Sequence, residues 1–129
     1  MARILVVDDN EDMLHVLQLI FSSRDHEVKA TARGEETFEL INTFQPALVC
    51  LDINLSGMDG RDICRQIKTT EETKHIPVVL ISANLIKQTT IDESLADDFI
   101  PKPFDIHALL VKVSKILGTA EDNAASMIA

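Results

Sequence analysis

The most informative segment of the sequence is residues 48–54, Leu-Val-Cys-Leu-Asp-Ile-Asn. This apolar run begins soon after Pro46 and reaches the carboxylate of Asp52, and turn residues with two glycines follow at positions 56–60. An apolar run of this length between turn signals is typical of a strand buried on both faces of a sheet. Ligands bind at the carboxyl ends of strands in open α/β sheets. We therefore expect Asp52 to lie at a ligand-binding edge.

Four other segments have the composition of short strands, and amphipathic helical patterns alternate with them. The predicted strands cover residues 3–7, 26–31, 78–81 and 97–100. The predicted helices run from Asn10 to about Ser22, from Gly34 to about Phe44, from Gly60 past Ile67, from Asn84 to Leu95 and from Ile106 to Leu117. Five strands that alternate with five helices predict an α/β fold, a doubly wound parallel sheet with helices on both faces.

Length and composition indicate one folded domain. The 129 residues are 46% hydrophobic and carry a net charge of −9. An acidic surface argues against direct nucleic-acid binding, because phosphate contacts require basic residues. No apolar run approaches the roughly 20 residues that span a membrane, and the start does not resemble a signal peptide, so we expect a cytoplasmic protein. Cys50 and Cys64 lie within apolar patterns, which predicts two reduced, buried thiols.

Polar side chains follow four of the five predicted strands. Asp8 and Asp9 follow the first strand, Asp52 ends the third, Ser82 follows the fourth and Lys102 follows the fifth. Right-handed crossovers bring these strand ends to one edge of the sheet, so we expect the five side chains to converge. Three neighbouring carboxylates repel one another unless a cation lies among them. Oxygen ligands without His or Cys favour a hard ion such as Mg²⁺.

Carboxylates, a hydroxyl and a lysine at one edge suit phosphoryl transfer, since a cation and a lysine neutralise the charge of the phosphoryl oxygens. Asp52 follows the most buried strand and is the best-placed nucleophile, which would form an aspartyl phosphate. Each residue alone has an ordinary explanation: Asp8 and Asp9 can cap a helix, and Lys102 can be a solvated turn residue. The occurrence of all five residues at one edge of the sheet favours a role in phosphoryl transfer over these separate structural roles.

The sequence resembles the receiver domain of bacterial two-component response regulators, of the stand-alone, single-domain type. The resemblance covers roughly residues 3–117. It is carried by the motifs Ile4-Leu5-Val6-Val7-Asp8-Asp9, Leu51-Asp52-Ile53, Gly57-Met58-Asp59-Gly60, Ile81-Ser82-Ala83 and Lys102-Pro103-Phe104, in the order and spacing of that family. It implies a flavodoxin-like sheet with strand order 2-1-3-4-5.

The resemblance also implies a role for each matching position. Asp52 matches the phosphoacceptor, Asp9 and Asp8 the direct and water-mediated acidic ligands of Mg²⁺, and Asn54 the residue whose backbone carbonyl binds the ion. Ser82 matches the switch hydroxyl, Phe99 the aromatic switch, Lys102 the lysine that contacts the phosphoryl oxygens and Pro103 a cis proline. Asn54 and Asn84 match two positions that tune dephosphorylation.

Two positions depart from the family pattern. Ser56 stands where the family often has proline, so the turn after the third strand is expected to be looser. Leu95 stands where glycine is common, and if the turn requires a positive φ then Leu95 is strained.

The resemblance implies a switch protein and not a classical enzyme. Asp52 would take a phosphoryl group from a phosphohistidine on a sensor histidine kinase or a histidine phosphotransfer protein. We expect a receiver domain over residues 1–118 and a short flexible tail over 119–129. Because little chain follows the last helix, we expect a downstream effector protein to be bound through the fourth helix, fifth strand and fifth helix.

Two alternatives remain open at this stage. One is a receiver-like adaptor that is never phosphorylated. The other is a phosphatase of the haloacid-dehalogenase type, which also uses an aspartyl nucleophile. That phosphatase needs a second aspartate two residues after the nucleophile, where this chain has Asn54.

Overall fold

Five parallel strands form the central sheet of the protein. The computed structural model describes residues 1–83 and 87–118. The sheet strands are β1 (Arg3–Val7), β2 (Glu27–Thr31), β3 (Leu48–Asp52), β6 (Val78–Ser82) and β7 (Asp98–Pro101), and two short strands, β4 (Asn54–Leu55) and β5 (Met58–Asp59), form a separate antiparallel pair. The sheet order is β2-β1-β3-β6-β7. Counting only these five strands, the order is 2-1-3-4-5, so the predicted doubly wound fold is confirmed.

Helices connect the successive strands of the sheet. They are α1 (Glu11–Ser22), α2 (Thr37–Phe44) with a 3₁₀ turn before it (Gly34–Glu36), α3 (Gly60–Thr69), α4 (Gln88–Ser94) and α5 (Ile106–Leu117). The side chains of Asn10, Asp59 and Asp105 accept backbone N–H bonds at the starts of α1, α3 and α5, as N-cap residues do. Asn10, and not Asp8 or Asp9, therefore caps the first helix.

Alternate residues of the strands face two separate hydrophobic cores. Ile4 and Val6 of β1 pack in a core with α1 and α5, whereas Leu5 and Val7 pack in a core with α2 and α3. Strands β3 and β6 are buried along their whole length. Because helices cover both faces of the sheet, the ends of the strands are its solvent-accessible part. The polar residues lie at those ends.

The structure differs from the sequence-based expectations in a few segments. The β4–β5 pair was not predicted, because strands of two residues leave no periodic pattern. Helix α4 begins at Gln88, later than the expected Asn84; residues 84–86 are outside the described part of the chain, as is the predicted tail over 119–129. Leu95 has a φ of 67°, which confirms the expected strain. Cys50 and Cys64 are free and buried, as predicted.

None of the helices within residues 1–83 and 87–118 combines the length and the hydrophobicity that crossing a bilayer requires.

Candidate functional site

The polar residues that follow the parallel strands lie at one edge of the sheet. Asp52 is the last residue of β3 and Ser82 the last residue of β6, while Asp8 and Lys102 come directly after β1 and β7. These four strands are consecutive neighbours in the sheet. These residues lie at the same edge because the strands are parallel, so that all their carboxyl ends are on one side of the sheet.

Lys102 connects the two buried carboxylates of this edge. Its Nζ lies 2.8 Å from Oδ2 of Asp8 and 3.6 Å from Oδ2 of Asp52. The backbone N–H of Lys102 donates to the carbonyl oxygen of Ser82 at 2.7 Å, and the Lys102–Pro103 peptide bond is cis. The Lys102 side chain is only 15% exposed, so its positive charge is directed inward and away from bulk water.

Asp8 and Asp52 are each held by a backbone N–H two residues further along the chain. The N–H of Asn10 donates to Oδ1 of Asp8 at 2.9 Å, and the N–H of Asn54 donates to Oδ1 of Asp52 at 3.3 Å. Both aspartates are buried. Each carboxylate therefore has one oxygen fixed by the backbone and the other directed at Lys102.

The burial of Asp52 changes its acidity. Desolvation and the neighbouring Asp8 charge raise the pKa of Asp52 from 3.8 to about 6, while Lys102 and the N–H of Asn54 act in the opposite direction. Burial disfavours the charged form of an acid, and a like charge nearby adds to that effect. At neutral pH Asp52 is still mostly ionised, so it is a carboxylate of increased basicity that is available as a nucleophile.

Asp8, Asp9 and Asp52 together offer a set of metal ligands. One carboxylate oxygen from each residue lies within 4.8 Å of the others. Opposite ligands of Mg²⁺ are about 4 Å apart, because each Mg–O distance is about 2.1 Å. The donor set is oxygen only, which suits Mg²⁺ and not Zn²⁺. The chemistry and the spacing of these three carboxylates are therefore compatible with a shared Mg²⁺ ion.

Three other sequence-predicted residues lie in strands β4, β6 and β7. Ser82 is buried at the end of β6, and Asn54 is exposed at the start of β4. Phe99 is half-buried in β7 and packs against the core on the α2 and α3 side, and its carbonyl oxygen accepts a bond from Lys112 Nζ at 2.9 Å. Asn84 lies outside the described residues.

Sequence reasoning missed two features of the site. Gly60 packs against the backbone of Asp52 so closely that a Cβ at Gly60 would lie 2.0 Å from the Asp52 carbonyl oxygen. The Ser56 hydroxyl donates to Oδ2 of Asp9 at 3.1 Å. The Asp59-Gly60 pair indicated the start of a helix but not the contact of Gly60 with the Asp52 backbone. Nothing in the sequence pairs Ser56 with Asp9, which lies 47 positions earlier.

Comparison with known proteins identifies relatives across most of the chain. A family model described as the response regulator receiver domain matches residues 4–114. Response regulator PleD of Caulobacter vibrioides is 37% identical over 117 residues, which cover 89% of this chain and 26% of PleD. The DNA-binding response regulator MtrA of Mycolicibacterium smegmatis is 32% identical over 131 residues, which cover 98% of this chain and 55% of MtrA. The chain thus spans about a quarter to a half of these relatives.

Solved structures show the same fold over almost the whole domain. The BeF₃-activated N-terminal receiver domain of Klebsiella pneumoniae RstA superposes with a TM-score of 0.81 at 27% identity. The match covers 91% of this chain and 99% of that domain.

Proposed function

Since this chain belongs to the response regulator receiver domain family, we propose that it is a phosphorylation-dependent switch of a two-component phosphorelay with Asp52 as phosphoacceptor. The observation that supports this most strongly is the position of Lys102, whose ammonium group contacts Asp8 and approaches Asp52. Burying three charges together costs desolvation free energy, so the cluster is weak evidence for a stabilising role and fits a chemical role better. A preformed cluster of this kind is what transfer of a charged phosphoryl group requires.

We assign Asp8, Asp9 and the Asn54 backbone carbonyl to Mg²⁺, together with one oxygen of Asp52. The mutual spacing of the three carboxylates supports this assignment. When bound, Mg²⁺ neutralises part of the charge on the transferring phosphoryl oxygens.

In the proposed reaction, an ionised oxygen of Asp52 attacks the phosphorus of a phosphohistidine on a partner kinase or phosphotransfer protein. A new O–P bond forms as the P–N bond to the donor imidazole breaks, and the imidazole retains the electron pair of that bond. Lys102 exchanges its contact with Asp8 for a phosphoryl oxygen, and the Ser82 hydroxyl donates a hydrogen bond to the phosphoryl group. The Asn54 N–H keeps the Asp52 carboxylate oriented.

The consequence of the reaction is a change of surface. A phosphoryl group adds roughly −1.5 to −2 charge, which draws Lys102 and Ser82 toward Asp52 and shifts a pre-existing equilibrium. Ser82 ends β6 and Lys102 follows the neighbouring β7, which contains Phe99. We propose that Phe99 turns further inward and that a downstream effector reads the altered face of α4, β7 and α5.

The protein is therefore proposed as a phosphoacceptor that promotes only its own phosphorylation and dephosphorylation. We propose a receiver domain over residues 1–118. A cytoplasmic location, and an output without direct nucleic-acid or membrane contact, stay predictions from the sequence.

The phosphatase alternative is weakened by Asn54, because an amide cannot act as the acid or base that this reaction needs. The adaptor alternative is weakened by the spacing of the carboxylates and Lys102. Both make different experimental predictions from the switch.

The test is to incubate the protein with a small acyl phosphate, with Mg²⁺ or with a chelator, and to measure its intact mass. We expect a gain of one phosphoryl group only with Mg²⁺, and no turnover of a phosphate monoester. No mass gain with Mg²⁺ would contradict the switch and favour the adaptor. Steady release of phosphate from a monoester would favour the phosphatase.

A further inference from the structure

Ser56 forms a hydrogen bond that joins two loops of the proposed cation site. Its hydroxyl donates to Oδ2 of Asp9 at 3.1 Å. Asp9 belongs to the loop between β1 and α1, whereas Ser56 belongs to the turn between β4 and β5. The same β4–β5 pair contains Asn54, whose backbone carbonyl is assigned to the ion. Ser56 therefore links the ligand on one loop to the segment that supplies another.

The position of Ser56 is fixed by the hairpin that contains it. Leu55 pairs with Met58 across the turn and is buried. The N–H groups of Leu55 and Gly60 both donate to the carbonyl oxygen of Ile53, at 3.2 and 2.8 Å. A hydroxyl on this short turn is thus presented at a defined place, and not by a long mobile side chain.

Asp9 has more need of an orienting partner than the other two carboxylates. Asp8 and Asp52 are buried and are held by backbone N–H groups and Lys102. Asp9 is exposed, so its side chain loses more rotamer freedom when it binds an ion. A bond from Ser56 to Oδ2 removes part of that freedom in advance.

We propose that Ser56 is a positioning residue that orients Asp9 for binding a divalent cation. This inference rests on the proposed function, because it assumes that Asp9 is a ligand of Mg²⁺. Hydrogen bonds to ligating carboxylates typically contribute about 10- to 100-fold to metal affinity. The Ser56–Asp9 bond is exposed to water, so its effect belongs at the low end of that range.

Mg²⁺ binding measured by calorimetry on the full chain tests the proposal. Ser56→Ala should bind Mg²⁺ about tenfold more weakly than the natural protein. Ser56→Thr keeps the hydroxyl and should bind within about twofold of the natural protein. Ser23→Ala is the matched control, because it removes another hydroxyl bond, to the Ile20 carbonyl oxygen at 2.6 Å, at the far end of α1.

Phosphorylation by an acyl phosphate gives a second readout that a merely structural defect would not reproduce. In Ser56→Ala, the Mg²⁺ concentration for half-maximal rate should increase by the same factor as the dissociation constant, and the rate should recover at high Mg²⁺. A rate that stays low at all Mg²⁺ concentrations would overturn the proposal. Ser56→Thr as weak as Ser56→Ala would also overturn it, because the hydroxyl would not be the cause.

Failure of this inference can be told from failure of the proposed function. If the natural protein binds Mg²⁺ and Ser56→Ala binds it equally well, only the role of Ser56 is refuted. If the natural protein itself binds no Mg²⁺, the cation site is refuted and the role of Ser56 falls with it.

Discussion

The Lys102 ammonium group lies 2.8 Å from Oδ2 of Asp8, a residue 94 positions earlier in the chain. It also lies 3.6 Å from Asp52, so one cation is shared by two buried carboxylates. The cluster that we assign to phosphoryl transfer is therefore already assembled in the fold. Its charges must affect stability as well as chemistry, and substitutions at Lys102 and Asp52 test that effect.

Lys102→Met removes the shared positive charge and leaves Asp8 and Asp52 facing each other. Breaking one side of a buried ion pair leaves an uncompensated charge. We expect the free energy of unfolding at about pH 7.5, measured with urea and a chelator present, to fall by about 3 kcal/mol, the low end for buried pairs, because Lys102 is 15% exposed. The rate of phosphorylation should fall as well.

The matched control is Lys74→Met. Lys74 pairs with Glu71 at 2.9 Å, but both side chains are more than half exposed. Exposed pairs contribute about 0–1 kcal/mol, so this variant should be nearly neutral. Equal losses for the two lysine variants would contradict the importance of burial at Lys102.

Asp52→Asn tests how much the negative charge at the proposed phosphoacceptor costs the folded state. The pKa of Asp52 is raised to about 6 in the folded protein. Protonation of Asp52 therefore stabilises the folded state relative to the unfolded chain. That contribution is fully present below the unfolded pKa of about 3.9 and is lost as the pH rises through about 6. The amide cannot ionise, so Asp52→Asn should be more stable than the natural protein by about 1–3 kcal/mol at neutral pH.

The stability difference between Asp52→Asn and the natural protein should grow between about pH 4 and pH 6 and level off above that range. Urea titrations with a chelator at several pH values measure it. Asp12→Asn, at an exposed position in the first turn of α1, serves as the control. A difference that does not change with pH would refute the assigned acidity of Asp52.

Much of the site could be predicted because the parallel topology determines where the strands end. Strands that end on Asp8, Asp52 and Ser82 can be recognised locally, and parallel crossovers then bring these ends together. The position of the Lys102 ammonium group closer to Asp8 than to Asp52 could not be predicted, since it depends on how far the side chain extends past the ends of β6 and β3. The Ser56–Asp9 bond was equally hidden, because it depends on a hairpin too short to leave a periodic pattern.

Gly60→Ala should damage the fold near Asp52 more than a typical glycine substitution does. A Cβ at Gly60 would meet the Asp52 carbonyl oxygen at 2.0 Å, and backbone cannot move aside cheaply. We expect a loss of about 2–3 kcal/mol in the free energy of unfolding, from urea titration. Gly34→Ala is the control, because its Cβ would meet only side-chain atoms, at 3.0–3.3 Å. Equal effects of the two variants would contradict this contact.

Leu95→Gly should stabilise the protein. Leu95 ends α4 with a φ of 67° and is 45% exposed, so it is strained and gains little from burial. A left-handed conformation costs a residue with a side chain about 1–2 kcal/mol. After the greater flexibility of glycine in the unfolded chain is subtracted, a gain of about 0.5–1 kcal/mol remains. A lower melting temperature for Leu95→Gly would show that the Leu95 side chain contributes packing that outweighs its strain.

The most direct test of the account is to locate the phosphoryl group. The protein is phosphorylated with a small acyl phosphate and Mg²⁺. The aspartyl phosphate formed on the protein is then reduced with borohydride, and the modified peptide is sequenced by mass spectrometry. We predict that the modification lies on Asp52 and that Asp52→Asn gains no phosphoryl mass under the same conditions. A modification on Asp8, Asp9 or Asp59, or a mass gain that survives Asp52→Asn, would contradict the central claim.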